Sequence, residues 1–130
     1  MNHVGIPLVY IAGPFSASTR SGVEENIRRA ESIGLKVAVV GGMPIVPHSN
    51  TSHPNYELAQ GYEFWVAGTA KLMARCDGVL LIPGWQDSRG AKGEQEMALR
   101  LGIPVLEYHT SKVGEAVMRN WVSKLKGPRE

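Results

Sequence analysis

The segment Gly78-Val79-Leu80-Leu81-Ile82 is a short apolar run bounded by an aspartate and a proline. A run of this length and composition is typical of a strand that is buried on both faces of a sheet. Residues 83–89 then form a turn-rich loop, and a helical pattern that contains Glu94 runs on to Gly102. A buried strand that leads through a loop into a helix is the unit from which parallel sheets are built.

The same alternation of strand and helix continues on either side of this unit. Further strands are predicted at residues 8–12, 43–46 and 103–106, and further helices at residues 61–76 and 111–126. Another helix is predicted to begin at a capping box with Ser21 as its cap, and to end at Gly41-Gly42. Residues 48–60 are polar and turn-rich, which predicts a loop. The last helix has four apolar residues on one face: Val113, Val117, Trp121 and Leu125.

This alternation predicts the α/β fold class and one domain over residues 1–130. The expected architecture is a doubly wound parallel sheet in a three-layer α/β/α arrangement, flavodoxin-like or Rossmann-like. In such sheets, ligands bind beyond the carboxyl ends of the strands. Three loops should meet there, at residues 13–20, 48–60 and 83–89. Asp77 begins a strand, so it should lie at the opposite edge and is discounted as catalytic.

Composition and charge narrow the function classes. The chain has 130 residues, 43% of them hydrophobic and 20% charged, with a net charge of +2, which favours an ordinary globular domain over a binder of nucleic-acid polymers. No apolar run reaches about 18 residues and residues 1–5 do not resemble a signal peptide, so we expect a cytoplasmic protein without a membrane partner. The single cysteine, Cys76, excludes an internal disulfide. His48, His53 and Cys76 make a poor metal set, so we expect no metal.

Glu94 is the leading candidate for chemistry. The apolar positions of its helix follow three, four and seven residues later, at Met97, Ala98 and Leu101. Glu94 therefore shares their face, and its carboxylate should point toward the interior, where burial without a partner is costly. Glu96 falls on the polar face of the same helix. The alternative for Glu94 is an acid in the first helical turn that interacts favourably with the helix dipole.

Several loop residues are candidates for binding a ligand. Ser88 and Gly90 precede the Glu94 helix, whose first N–H groups could hold an anion. Ser16 and Arg20 could close over the same anion from the first loop, since arginine suits a two-pronged phosphate contact. As an alternative, all four are ordinary loop or cap residues.

Aromatic side chains and a histidine lie near the same predicted edge. Tyr10 and Phe15 flank the first loop and could line a pocket, while Trp85 could stack on a base or simply pack. His48 is either a loop histidine bonded to backbone or a residue that contacts substrate. The phosphate loop with Gly-x-x-x-x-Gly-Lys-Ser/Thr and the dinucleotide loop with Gly-x-Gly-x-x-Gly are both absent, and we expect no cofactor.

Four segments together resemble the nucleoside 2-deoxyribosyltransferase superfamily, especially its small, often phage-encoded branch, and are similar to deoxynucleoside 5′-monophosphate N-glycosidases. They run from Val9 through Gly13 to Phe15, from Ile45 to His48, from Cys76 to Trp85, and from Ser88 through Glu94 to Val105. The likeness spans roughly residues 8 to 108.

The resemblance implies roles for particular residues. Glu94 would be the nucleophile that attacks the anomeric carbon, and Ser88 and Gly90 would bind a 5′-phosphate. Many members carry an aspartate in the helix before the third strand, where this chain has Thr69, so Asp87 is the expected substitute. The resemblance also implies a homo-oligomer, to whose shared site Asn120 and Trp121 could contribute.

The expected function is cleavage or transfer of the N-glycosidic bond of a nucleoside or its 5′-monophosphate. The partner would be that small molecule. The missing aspartate supports an alternative, a nucleotide-binding sensor or inhibitor protein without catalysis. A generic flavodoxin-like binding module is a third possibility, although no flavin loop is evident.

Overall fold

The computed structural model describes residues 5–53 and 55–125. Its centre is a four-stranded parallel sheet in the order β2-β1-β3-β4. The strands are β1 (Leu8–Ala12), β2 (Met43–Ile45), β3 (Gly78–Leu81) and β4 (Val105–Glu107). The first three strands begin and end within one residue of their predicted bounds, whereas β4 begins two residues and ends one residue later than predicted. The predicted parallel sheet is therefore confirmed.

Six α-helices flank the sheet within the residues that the structure describes. They are α1 (Arg20–Val39), α2 (Pro47–Asn50), α3 (Tyr56–Ala59), α4 (Tyr62–Ala74), α5 (Arg89–Leu101) and α6 (Lys112–Lys124). Helices α1 and α6 pack in one hydrophobic cluster with strand residues such as Val9 and Ile11. Helices α4 and α5 pack in a second cluster with Tyr10 and Ala12. Because successive side chains of a strand point to opposite faces, the two clusters are two layers, and the three-layer α/β/α architecture is confirmed.

The strand order creates a crevice at one edge of the sheet. Strands β1 and β3 are neighbours, but β1 leads into α1 on one face while β3 leads into α5 on the other. The chain therefore leaves the sheet in opposite directions at this point, which is where open parallel sheets bind ligands. Asp77 lies at the other edge, and its carboxylate accepts a hydrogen bond of 2.8 Å from the backbone N–H of Leu8.

The outer strand β2 is short and contains a proline. Pro44 pairs with Val9 of β1 in the parallel register. The N–H of the preceding Met43 donates to the carbonyl of Pro7, so it points inward toward β1.

Helix α6 covers the face of the sheet that carries Val9 and Ile11. A Cβ built on Gly78 would lie 2.8 Å from the Trp121 ring, so this indole packs on the amino end of its own β3.

Two predicted local features are wrong. Thr19, not Ser21, caps α1: its backbone is extended, and its side chain accepts a 3.0 Å hydrogen bond from the N–H of Gly22. Ser21 already lies inside the helix. The predicted loop at 48–60 contains the short helices α2 and α3. Pro47 occupies the start of α2, where a proline loses no hydrogen bond and its fixed φ favours the helix.

The apolar faces predicted for α6 and α5 are only partly buried. Val113 and Val117 are 74% and 47% exposed, whereas Met118 and Val122 are buried. A row of residues spaced four apart drifts by about 40° per step around a helix, so a row that faces the sheet at its end faces solvent at its beginning. In α5, Ala98 is buried but Leu101 is 53% exposed.

Among the described residues, no helix combines the length and apolarity needed to cross a membrane.

We predict that Asp77→Ala lowers the free energy of unfolding by about 1–3 kcal/mol, because the N–H of Leu8 loses its acceptor at a partly buried position. Denaturant unfolding monitored by circular dichroism measures this change. Glu96→Ala is the control, since Glu96 is an exposed acid on α5. Equal midpoints for Asp77→Ala and wild type would show that the Asp77 contact contributes no stability.

Candidate active site

A side-chain hydrogen bond joins strand β1 to helix α5, the helix that follows β3. The hydroxyl of Tyr10, a fully buried residue in the middle of β1, donates to Oε2 of Glu94 on α5. Glu94 lies on the turn of α5 that follows Ala91, a buried residue that packs the helix against the sheet. The sequence prediction that the Glu94 carboxylate points inward is met, and its partner is the phenol of Tyr10.

The surroundings of this pair shift both acidities. Burial raises the pKa of Glu94 from its ordinary value of 4.5 to about 7, while the hydrogen bond from Tyr10 acts in the opposite direction. Burial, and next the charge of Glu94, raise the pKa of the Tyr10 hydroxyl far above its usual range. Tyr10 therefore keeps its proton and acts as a donor. Near neutral pH, Glu94 is divided between a carboxylic acid and a carboxylate.

The start of α5 lies at the same edge. Ser88 is the N-cap, and its side chain accepts a 3.2 Å hydrogen bond from the N–H of Ala91. The hydroxyl proton of Ser88 is still available to donate. Gly90 is exposed in the first turn. Both residues belong to the start of α5, which agrees with the alternative that they are ordinary loop or cap residues. Both also lie beside the N–H groups of the helix N-terminus, which have no partner within the helix.

The first loop is held close to β3. A Cβ on Gly13 would lie 2.2 Å from Cγ1 of Ile82, so only glycine fits between the two strand ends. Phe15 is half-buried, and Ser16 is exposed. Arg20 is also exposed, and its guanidinium forms a 3.3 Å ion pair with Glu24 one turn along α1. The structure therefore places Arg20 in a contact with its own helix.

His48 is buried at this edge, with 4% of its surface exposed. Its Nε2 lies 3.2 Å from the carbonyl oxygen of Gly13, and its ring centroid lies 6.0 Å from that of Phe15. Burial lowers the pKa of the imidazole, so the ring is neutral at pH 7. The histidine is bonded to backbone, and this contact ties the end of β2 to the end of β1.

The turn after β3 carries the remaining predicted residues. Trp85 and Asp87 form a single 3-10 turn, Trp85–Asp87. The indole of Trp85 is half-buried and packs against the hydrophobic cluster that contains Tyr10. Asp87 is exposed. On α4, Thr69 is half-buried, whereas Glu63 is exposed in the first turn.

Sequence reasoning placed Tyr10 at the rim of a pocket and missed that it bonds to Glu94. A signal was present, because Tyr10 lies in a strand whose other residues are aliphatic. A tyrosine hydroxyl in a buried strand needs a polar partner. The carboxylate predicted to point inward from the next helix is such a partner, although no sequence pattern fixes which helix lies over β1.

An open groove of about 410 Å³ lies elsewhere, between α1 and the segment after β4. Its charged groups include Arg28, Arg29 and Lys36. Arg28 and Arg29 pair with Glu25 on the same helix, and Lys36 pairs with Glu115 at 2.9 Å. None of the predicted site residues lines this groove. No cluster of three or more metal-ligating side chains occurs in residues 5–53 and 55–125.

We predict that Glu94→Gln stabilises the protein above pH 7 and not at pH 4. Between about 4.5 and about 7, folded Glu94 holds a proton that the unfolded chain releases, so the unfolding free energy of wild type falls as pH rises through this window. Glutamine does not titrate, and the variant should gain on the order of 1–3 kcal/mol by pH 8. Urea unfolding from pH 4 to pH 8 measures the gap, with Glu96→Gln as the control. A constant gap across this range would contradict the buried carboxylate.

The chain is similar to known proteins both in sequence and in structure. A family model described as a domain of unknown function (DUF4406) matches residues 7–107. Among solved structures, the protein is similar to a 2-deoxyribosyltransferase from the psychrotolerant bacterium Bacillus psychrosaccharolyticus. The TM-score is 0.62 at 16% sequence identity, over 94% of this chain and 99% of that chain. No curated protein matches the sequence. The chain therefore belongs to the DUF4406 family, and its fold is similar to that of this 2-deoxyribosyltransferase.

Proposed function

We propose that the protein is an enzyme that cleaves or transfers the N-glycosidic bond of a nucleoside or its 5′-monophosphate, with Glu94 as nucleophile. The observation that carries this proposal is the half-buried Glu94 carboxylate, held by the Tyr10 hydroxyl where β1 and β3 lead to opposite faces of the sheet. The similar solved structure is a 2-deoxyribosyltransferase, and its activity fits a nucleophilic carboxylate at this place.

The reaction proceeds in two displacements. A carboxylate oxygen of Glu94 bonds to the anomeric carbon, and the bond from that carbon to the base nitrogen breaks, so the base departs with the electron pair and takes up a proton. Water or a second base then bonds to the anomeric carbon and releases Glu94. Dividing one difficult displacement into two easier steps is the usual advantage of a covalent intermediate. The positive charge that develops on the sugar is stabilised by the nearby carboxylate.

The hydrogen bond from Tyr10 gives the carboxylate a direction. Oε2 of Glu94 accepts from the phenol, so Oε1 is the oxygen left for the sugar. A nucleophile held in one orientation loses less freedom on reaching the transition state. The surrounding apolar cluster also limits water, which strengthens the interaction between the carboxylate and a cationic sugar.

Asp87 is our proposed source of the proton for the departing base. It follows β3 in the turn that leads to α5, seven residues before Glu94. Help of this kind from a general acid typically contributes about 10²- to 10⁴-fold in rate. Thr69 of α4 offers a hydroxyl and no acid.

Ser88, Gly90 and Arg20 are our proposed contacts for the 5′ end of the substrate. The start of α5 supplies backbone N–H groups and the Ser88 hydroxyl, a combination that suits an anion. Arg20 would have to exchange its ion pair with Glu24 for a phosphate, which is a small cost because that pair is exposed. Tyr10, Gly13, Phe15, His48 and Trp85 would line the remainder of the pocket. A homo-oligomer with a shared site, to which the exposed Asn120 contributes, is part of the same proposal. Trp121, the other residue expected there, packs on its own β3.

We predict that Glu94→Ala abolishes base release while the protein stays folded, because the variant has no nucleophile. Chromatography of nucleosides and 5′-monophosphates incubated with enzyme measures the free base. Glu96→Ala, two residues away on the exposed face, should keep full activity. Full activity of Glu94→Ala would exclude Glu94 as nucleophile. Nucleotide binding by wild type without any base release at stoichiometric enzyme would instead support a sensor or inhibitor protein.

We predict that base release by wild type rises with pH through about 7, since only ionised Glu94 attacks. Tyr10→Phe removes the hydrogen bond that lowers the pKa of Glu94, so the rise should move to higher pH and the maximum rate should fall. Initial rates measured from pH 5 to pH 9 for both proteins test this. An unshifted profile in Tyr10→Phe would mean that the phenol does not act on the Glu94 carboxylate.

A further inference from the structure

We propose that two copies of this chain associate through the exposed face of helix α4, which packs antiparallel on its copy about a two-fold axis beside Ala67. This association goes beyond the proposed function and does not depend on it. Helix α4 combines four features that indicate such a partner: few charges, exposed aromatic side chains, a glycine without a reason in the described chain, and two opposite charges placed symmetrically.

Helix α4 exposes an apolar surface where its neighbour exposes charges. Two of its 13 residues are charged, whereas α5, of the same length and in the same layer, carries five charged residues. The side of α4 that carries Met73 packs on the sheet. The opposite side is exposed, and we call its residues the outer face of α4: Glu63, Phe64, Ala67, Gly68, Lys71 and Ala74. An exposed surface of this kind is typical of a contact with another protein.

Two large aromatic side chains are exposed at the start of α4. Tyr62 is 81% exposed and Phe64 is 52% exposed. The Phe64 ring lies edge-on to the Trp65 ring, with 5.2 Å between their centroids, and Trp65 is stacked on Tyr56 at 4.7 Å. Because this stack already holds Phe64 in place, a partner that contacts it orders little new. Aromatic side chains are also enriched in the cores of interfaces.

Gly68 lies in the middle of α4, where glycine weakens a helix relative to alanine. In α1, Gly34 has a reason within the chain, since a Cβ there would lie 3.0 Å from Cγ2 of Val46. A Cβ on Gly68 would meet no atom of residues 5–53 and 55–125 within 4 Å. Gly93 of α5 is equally open, but Gly68 lies on an apolar face. There, the absence of a side chain allows a second helix to approach closely.

The two charges of α4 identify the partner as a second copy. Glu63 lies four residues before Ala67 and Lys71 lies four residues after it, all on the outer face. In an antiparallel pair centred on Ala67, Glu63 therefore lies opposite Lys71 of the partner subunit, and Lys71 lies opposite the partner's Glu63. A parallel pair would place each charge beside its own copy. Self-complementarity of this kind is what a two-fold interface requires.

The α4 interface is distinct from the shared site proposed for Asn120. Helix α6 packs in the layer that contains Val9 and Ile11, whereas α4 packs in the layer that contains Tyr10. The two surfaces lie on opposite sides of the sheet, so one partner cannot occupy both. An assembly that uses both contacts contains more than two chains.

Sedimentation of the full chain and of two matched glycine variants tests the interface. One chain has a mass of 14.1 kDa, and we expect wild type to sediment as at least two chains at micromolar concentrations. Gly68→Arg should halve the mass of the assembly and weaken association at least roughly 100-fold, because a long charged side chain projects into the centre of the contact. Gly93→Arg makes the same change at an equally open helical position and should keep the wild-type mass.

Exchange of the two charges tests the antiparallel arrangement. Glu63→Lys and Lys71→Glu should each weaken association by about 10-fold, because like charges then face each other across the interface. The double variant Glu63→Lys/Lys71→Glu should restore the wild-type affinity, since opposite charges again lie opposite each other. A double variant no better than the single variants would contradict the pairing.

Cysteine crosslinking tests the centre of the contact and does not rely on Gly68→Arg. Ala67 and Ala74 are both exposed on the outer face, seven residues apart. Two copies of residue 67 lie at the axis, whereas two copies of residue 74 lie about 21 Å apart along antiparallel helices, beyond the reach of a disulfide. Mild oxidation should therefore link Ala67→Cys into dimers and leave Ala74→Cys unlinked. Wild type is the blank, because its single cysteine, Cys76, is buried.

Three results would overturn the α4 interface. The first is wild type that stays at 14.1 kDa at the highest concentration tested. The second is an assembly that Gly68→Arg leaves intact and that Ala67→Cys does not crosslink. The third is equal crosslinking of Ala67→Cys and Ala74→Cys, which excludes the antiparallel arrangement. None of these measurements involves base release, so the proposed function stands or fails separately.

Discussion

The hydrogen bond between Tyr10 and Glu94 is the contact around which the site is organised. A carboxylate in an apolar layer is tolerated only with a partner, and a phenol in the centre of a parallel strand has the same need. Each residue therefore makes the other possible. The bond ties β1 to α5 directly across the crevice, so the packing of α5 on the sheet also sets the position of the reactive oxygen.

This arrangement follows from the order of the strands. Because β1 lies between β2 and β3, the segments that leave all three strands converge on one edge while their helices diverge onto two faces. His48, the Gly13 turn and the Trp85 turn are brought together there although they are far apart in sequence. The opposite edge is closed by structural contacts such as Asp77 with Leu8, so the chemistry and the stabilising contacts are spatially separated.

The parts of the fold that depend on local pattern could be predicted from the sequence. Apolar runs bounded by turn residues located the four strands, and the spacing of Glu94 from Met97 and Ala98 indicated its inward face. Features that depend on competition between similar residues could not be predicted. Thr19 and Ser21 are both good caps, and only the path of the incoming loop decides between them. The rotation of α6 about its axis is set by its packing on the sheet. The i, i+4 spacing of Val113 and Val117 therefore did not show which residues of α6 are buried.

In the candidate site, too, local pattern predicted some features and tertiary packing decided the others. The sequence identified the loops and their candidate residues, because loops after strands of a parallel sheet meet at one edge. It did not indicate that Tyr10 bonds to Glu94, since this contact depends on which helix lies over β1. The pair of Arg20 with Glu24 was missed because Arg20 was assigned to the first loop, whereas it is the first residue of α1. Burial of His48 also escaped prediction, because residues 48–60 are polar in composition and their packing comes from α2.

Pro44 has a consequence for how molecules of this protein can meet. The N–H of Met43 faces β1, so the next nitrogen along β2 faces outward, and at Pro44 that nitrogen carries no hydrogen. The outer strands β2 and β4 have three residues each. A short edge interrupted by proline offers a poor template for a strand from another chain, which is one of the ways proteins avoid aggregation through their sheets. Pairing of two copies through the β2 edge is therefore disfavoured.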